Sequence, residues 1–397
     1  VELDDPRDLE LLETIYAHGV LLGDESERGW GLRYRREFDM TNDAHRFAAR
    51  PSWEARGHRP DEYGHWLAGD WRALAKFGFE AREHDSRWSI LERPPGLVLA
   101  RDGAHGLMLD AIDEGALPVY EGRMIGQYDF SAKGWVRGRG RSARWHDIAD
   151  NAKQLEPQFL MAAREYAQRR APGHRLGLGV MDVSASTNSR TLIAALTHDR
   201  PHGNKVPRLD LAAEHDAIEL LASLNSLSVD FALRLRLVGL TLNAFILAEL
   251  PVLARGSIPS ELLVELLGLA APHVAFARTW LSQRDLARVD TSRSWRSHWA
   301  LTRAERVRRR VILDVVVAAG LGLDEAGLAW ILRDCERPLG ARPSASLHPK
   351  GFWRVDKQLP PEQRHTVLVQ AAFRELRERG LAGFLAMNEG RGWLPPA

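Results

Sequence analysis

Cysteine is nearly absent from this 397-residue chain: Cys335 stands alone. One thiol excludes an internal disulfide and fits a reducing compartment, which points to the cytoplasm. Its apolar helical surroundings predict a core position rather than a nucleophile. Excess charge of one sign is also missing, with 54 Lys and Arg against 53 Asp and Glu and a net charge of +1. Any positive surface must therefore come from local clustering. No apolar run is long enough to span a bilayer, and no signal peptide is evident, so no membrane partner is expected. Several catalytic signatures are lacking as well. There is no glycine-rich loop for adenosylmethionine, no Asn/Asp-Pro-Pro-aromatic tetrapeptide, no Gly-x-Ser-x-Gly and no phosphate loop. Asp110, Asp113 and Glu114 lie close together without the Glu-x-Lys of a metal-dependent nuclease, and they read as a solvated turn. His198 and His202 lack a second ligand pair and read as surface histidines, not zinc ligands.

What is present is a chain of ordinary globular composition, 45% hydrophobic and 27% charged, with the length for two or three domains. It begins with Val1 and an acidic helix start, which reads as a piece of something longer. Residues 6–22 show helical spacing after a Pro entry, and residues 23–66 read as irregular connection. A short helix is expected at 71–79, and strands at 89–93 and 96–100. Further on, the pattern predicts a helix over 155–170 closed by Pro172-Gly173, then strands at 175–183 and 192–196. One long helix is expected over 213–237, and a shorter apolar segment at 242–250. Beyond Pro259 the chain reads as helical, at 260–288, 303–320, 324–335 and 362–379, with Gly380 as the last stop.

Two segments concentrate basic residues. Between Leu117 and Trp145, Arg123, Lys133, Arg137, Arg139, Arg141 and Arg144 face only Glu121 and Asp129, and Tyr120, Tyr128, Phe130, Trp135 and Trp145 interleave with them. Arginines separated by glycine can track a phosphate backbone, while the tyrosines and Trp135 read more readily as core. Between Arg278 and Arg310 ten arginines face Asp285, Asp290 and Glu305. There Arg303, Arg306 and Arg310 share one helical face and suggest a phosphate clamp. A polar loop, Asp182 to Thr191, runs into the apolar Leu192–Leu196. Two readings of it stand open. Asn188 and Arg190 could contact adenine and guanine, or Asn188 could cap the turn while Arg190 pairs with a carboxylate such as Asp182.

Read in order, these segments resemble a known arrangement. Leu117-Pro118-Val119-Tyr120-Glu121-Gly122-Arg123-Met124 is similar to the Pro-Leu-Tyr-Glu-Gly-Lys-Met segment of large adenine-specific DNA methyltransferases. These are the fused type IIG restriction–modification enzymes and related phage-defence methyltransferases of the BREX and DISARM kind. The Thr-Asn-x-Arg-Thr loop of that family is matched by Thr187 to Thr191, but the arginine that heads its motif is Met181 here. A Leu-Asn-Ser…Asp helix is matched by Leu221 to Phe231, and a Thr-x-Leu-Asn-x-Phe-x-Leu-x-x-Leu-Pro segment by Thr241 to Pro251, with one residue fewer between Thr and Leu. Residues 303–335 resemble the family's closing helices. The resemblance implies the target-recognition part, with the catalytic tetrapeptide and adenosylmethionine in a portion upstream of Val1 and no cofactor in this chain.

The expectation is thus an α+β chain: a connecting region over 1–115, a mixed, irregular target-recognition domain over 116–258 and a mainly α-helical C-terminal domain over 259–397. Its expected partners are double-stranded DNA, the upstream methyltransferase domain and other subunits of a defence system. Two rivals remain, a protein-interaction module and a nuclease with a cryptic metal site at Asp110 and Asp113.

Overall fold

In the computed structural model the described residues are 5–78, 82–84, 87–89, 93–170, 176–338, 340 and 347–395. The first helix, Pro6–His18, starts as its sequence dictates. Asp5 caps it by accepting from the Arg7 amide at 2.9 Å, and Pro6 supplies the preset φ of a first turn. It buries Leu11, Leu12 and Ile15. The chain then pairs Val20–Leu21 antiparallel with Pro251–Val252, which ties the amino-terminal segment to the middle of the chain.

The two largest sheets, both antiparallel, carry half of the strands among the described residues. One has five strands in the order Phe47–Ala49, Phe159–Ala162, Ile112–Pro118, Trp66–Gly69 and Arg59–Pro60. The other has four, ordered Ala194–Thr197, Gly177–Val180, Arg208–Asp210 and Arg33–Arg35. Gly177–Val180 and Ala194–Thr197 are buried at every position, so they read as continuous apolar runs rather than alternating ones. The Glu214–Leu224 helix packs on this second sheet. Helices dominate beyond it: Leu227–Arg236, Leu263–Ala270, Ala277–Gln283, Arg303–Gly320, Glu325–Ile331 and the helix from His365. One apolar core runs from Leu11 through Leu178 and Leu221 to Leu313 and Phe373, so residues on both sides of position 259 share it. The chain is α+β, with its helices gathered toward the carboxyl-terminal part.

The structure departs from sequence expectation where tertiary pairing overrides local pattern. Residues 23–66, expected as irregular connection, supply strands to both sheets. Residues 155–170 divide into the Phe159–Ala162 strand and the Ala163–Arg169 helix, because Val119 and Arg50 bond the strand's flanks. The Pro172-Gly173 stop falls outside the described residues, as do 90–92 of the expected 89–93 strand. Of the helix expected over 71–79, Arg72–Ala73 form a two-residue strand and Leu74–Phe77 a 3-10 turn, and residue 79 lies outside the described residues. The helix expected over 213–237 breaks at Asn225 and Ser226, and Ser226 restarts it by capping the Val229 amide at 3.2 Å. Residues 260–288 are likewise split, with turns between Leu263–Ala270 and Ala277–Gln283. By contrast Arg303–Gly320 forms as expected, and Gly380 interrupts the last helix at φ 69°.

Candidate nucleic-acid interface

Lys133–Arg137 and Arg144–Asp147 form an antiparallel hairpin in which Trp135 faces Trp145 and Arg137 faces Arg144 across a bulge. Its turn needs glycine: Gly138 lies at φ 85°, and a Cβ there would meet the Ser142 carbonyl at 2.5 Å. The base of the hairpin is fixed. Trp135 is buried, its amide donates to Glu156 O at 2.9 Å, and its indole donates to Gly138 O at 3.0 Å. The Arg50 guanidinium covers the Trp135 ring at 4.7 Å, and Gln158 donates to Gly138 O at 3.1 Å.

The hairpin's arginines have no neutralising carboxylate among the described residues. Arg123, Arg137, Arg139, Arg141 and Arg144 are exposed, and none of them has an ion pair among the described residues. Lys133 is exposed and pairs with Asp147 at 3.5 Å. Like charges directly across a strand pair repel, so Arg137 opposite Arg144 costs stability unless an anion sits between them.

Beside the hairpin lies a cavity of about 590 Å³, within the range of small-molecule sites. Glu121, Arg123, Trp145, Phe159, Met181 and Lys205 are among its lining residues. Burial pushes the Glu121 carboxyl up to about 7, against the pull of Arg123. Glu121 Oε1 and Trp145 Nε1 are buried without a protein partner. Lys205 is half held, at 3.2 Å from Asp182, which also takes Arg36 at 3.0 Å. Glu121 and Lys205 escape a reading by basic clustering, which sees Glu121 only as a counter-charge. The signal for it was an acid inside an otherwise basic and aromatic run.

The Asp182–Thr191 loop does not offer its arginine to a ligand. Arg190 pairs with Asp230 at 2.8 Å and donates to the Asn225 carbonyl, so its carboxylate is Asp230 and not Asp182. Asp230 is fully buried and also takes Arg234 at 2.9 Å and the Thr191 amide at 3.0 Å. Burial opposes its ionisation, yet Arg234 and Arg190 hold its carboxyl below the usual range. Arg234 in turn donates to the carbonyls of Asn188, Ser189, Lys350 and Gly351 and lies 4.0 Å from the Phe352 ring centre. Asn188 is exposed and stays available, its amide closing the turn on Ala185 O. Base contact by Arg190 is therefore corrected to a structural clamp.

The clamp expected of Arg303, Arg306 and Arg310 is corrected as well. Only Arg303 is exposed, 3.7 Å from Asp356. Arg306 is buried and spent on Leu269 O at 2.8 Å, Tyr128 O at 3.2 Å and Asp150 at 3.1 Å. Arg310 is half-buried, and desolvation pulls its pKa down. Arg308 and Arg309 share Glu305 and Glu265 at 2.8–3.2 Å. Trp280 is buried and packs on Trp295 at 5.7 Å, with Trp299 5.0 Å beyond. The sequence showed the arginines but not that helix packing would turn three of them inward.

Glu305 gives this packing a pH signature. Partial burial raises its pKa, but hydrogen bonds from Arg308 and the charge of Arg309 win and lower it to about 2. A carboxyl lowered on folding stabilises the native state above its unfolded pKa and loses that contribution as pH falls through the folded one. The urea midpoint of the wild type is expected to fall between about pH 4.5 and 2 more steeply than that of Glu305→Gln. Parallel curves would show that Glu305 is not held by its arginines.

The two histidines expected at the surface are buried. His198 lies 3.7 Å from the Phe276 ring centre and His202 5.0 Å from that of Tyr120, and burial drives both pKa values well below 6.5. The Pro- and Gly-rich loop that carries them is sandwiched rather than exposed. Tyr120, Tyr128 and Cys335 are core residues. Asp110 and Asp113 are exposed, and among the described residues no group of three His, Cys, Asp or Glu is placed to hold a metal. No helix among them is long and apolar enough to cross a membrane.

No protein-family model, curated protein or solved structure matches the chain.

Proposed function

We propose that this chain binds duplex DNA and serves as the target-recognition part of an adenine-specific methyltransferase of the restriction–modification or phage-defence class. The observation that carries it is the Lys133–Asp147 hairpin: four exposed arginines on a rigid base, two of them opposed across the strands, with no carboxylate neutralising them. Arginines in that state gain most from a polyanion, because each neutralised phosphate releases counterions. The segments that resemble the family add support. Asn225 clamps Ala194 by two hydrogen bonds, at 3.0 and 2.9 Å, and Asp230 holds the Thr-Asn-x-Arg-Thr loop. Shared motifs that build scaffold leave base choice to the segments between them.

The glycines of the Gly177–Val180 strand are closed by their own neighbours, since a Cβ at Gly177 would meet Arg208 Nε at 2.7 Å and one at Gly179 would meet Val206 at 2.8 Å. They serve packing. On this reading methyl transfer belongs to the upstream part, in the cytoplasm. Val238, Leu240 and Phe245, exposed at 85%, 66% and 66%, favour a protein contact near the loop and suit docking of that part.

Fluorescence anisotropy of a labelled 20-base-pair duplex tests the proposal. With four phosphates neutralised, log K falls against log salt with a slope of about −3.6. Absence of binding at 50 mM salt, or a slope near zero, would remove the reading.

A further inference from the structure

Resting on the DNA-binding reading, we propose that the cavity beside the hairpin receives one unstacked guanine of a nucleic-acid strand, its Watson–Crick edge read by the Glu121 carboxylate. The cavity's polar inventory selects this base. Glu121 Oε1 is a buried acceptor without a protein partner, and Trp145 Nε1 is a buried donor without one. The other charged lining residues, Arg123 and Lys205, only donate. Guanine offers N1–H and N2–H side by side to a carboxylate, and O6 and N7 to donors. Adenine, cytosine and thymine each place an acceptor where the carboxylate needs a second donor. Trp145 and Phe159 supply an aromatic wall for the base, as extruded bases require. Arg123 at the lining and the unpaired hairpin arginines alongside would meet the flanking phosphates.

Charge around Glu121 sets the pH dependence. Arg123 stands on its own turn, Lys205 with its Asp182 partner comes from the facing loops, and Arg141 and Arg144 flank the lining residues of the hairpin. With the carboxyl pushed up to about 7, it is mostly ionised at pH 8 and mostly protonated at pH 6. Only the ionised form accepts both guanine donors. Guanine affinity therefore rises with pH through this range.

The test uses the whole chain and single-stranded ten-nucleotide thymidine oligomers with one central guanine, inosine or adenine. Inosine lacks N2–H and stacks nearly as guanine does. At pH 8 guanine is expected to bind about tenfold tighter than inosine or adenine, through the bidentate contact. At pH 6 the advantage falls below about threefold, and Glu121→Gln and Glu121→Ala lack it at both pH values. Equal affinities for the three oligomers, or a preference kept by Glu121→Ala, would overturn the guanine site while duplex binding stands. Loss of all binding at low salt would overturn the DNA-binding reading with it. GMP alone binding more tightly than the guanine oligomer would overturn a strand-borne base as its source.

Discussion

Replacing Arg137, Arg139, Arg141 and Arg144 together by glutamine is expected to flatten the salt dependence of duplex binding by about 3–4 slope units. Over a fourfold rise in salt, from 50 to 200 mM, the wild type should then lose about 10²-fold more affinity than the variant. Thermal stability should hold or rise slightly, because the four side chains are exposed, unpaired and, for Arg137 and Arg144, mutually repulsive. An unchanged slope in a folded variant would mean that the phosphates are gripped elsewhere. A control with Arg284, Arg288 and Arg293 replaced is expected to leave the slope nearly intact. Each of these already has a carboxylate partner, Asp285, Glu261 and Asp290.

The second large effect concerns stability. Asp230→Ala leaves Arg190 and Arg234 without their shared counter-ion in a buried site. Breaking a buried pair in this way costs about 3–5 kcal/mol, a large share of a domain's net stability. Urea unfolding should show the loss, and the folded fraction should bind DNA as before. A change below about 1 kcal/mol would indicate that the two guanidinium groups find other partners or water. Asp230→Asn keeps the shape and an acceptor for Thr191, so a smaller loss is expected from it.

Local signals carried much of the fold. The Pro entry and helical spacing marked the first helix, apolar spacing marked Arg303–Gly320, and Gly380 marked a stop. What escaped was decided by distant partners. Arg33–Arg35 looks polar and irregular, yet it pairs with Arg208–Asp210 from the far side of the chain. His198 and His202 sit in a loop of turn-forming residues whose burial depends on Phe276 and Tyr120. For the candidate site, composition picked out the basic run but neither its hairpin nor which arginines are exposed and which are spent. Arg137 and Arg306 carry the same charge. Only the positions of Asp150, Leu269 and Tyr128 show that Arg306 is occupied. Glu121 was hidden because its burial, and the cavity it shares with Trp145 of the hairpin, come from segments far apart in the chain.

Hydrogen–deuterium exchange of the whole chain, with and without a saturating duplex at low salt, tests the central claim most directly. Slowed exchange is expected over residues 133–147 and 121–124, with the Arg303–Gly320 helix unaffected. Slowed exchange confined to the helical carboxyl-terminal part, with the hairpin unchanged, would contradict it.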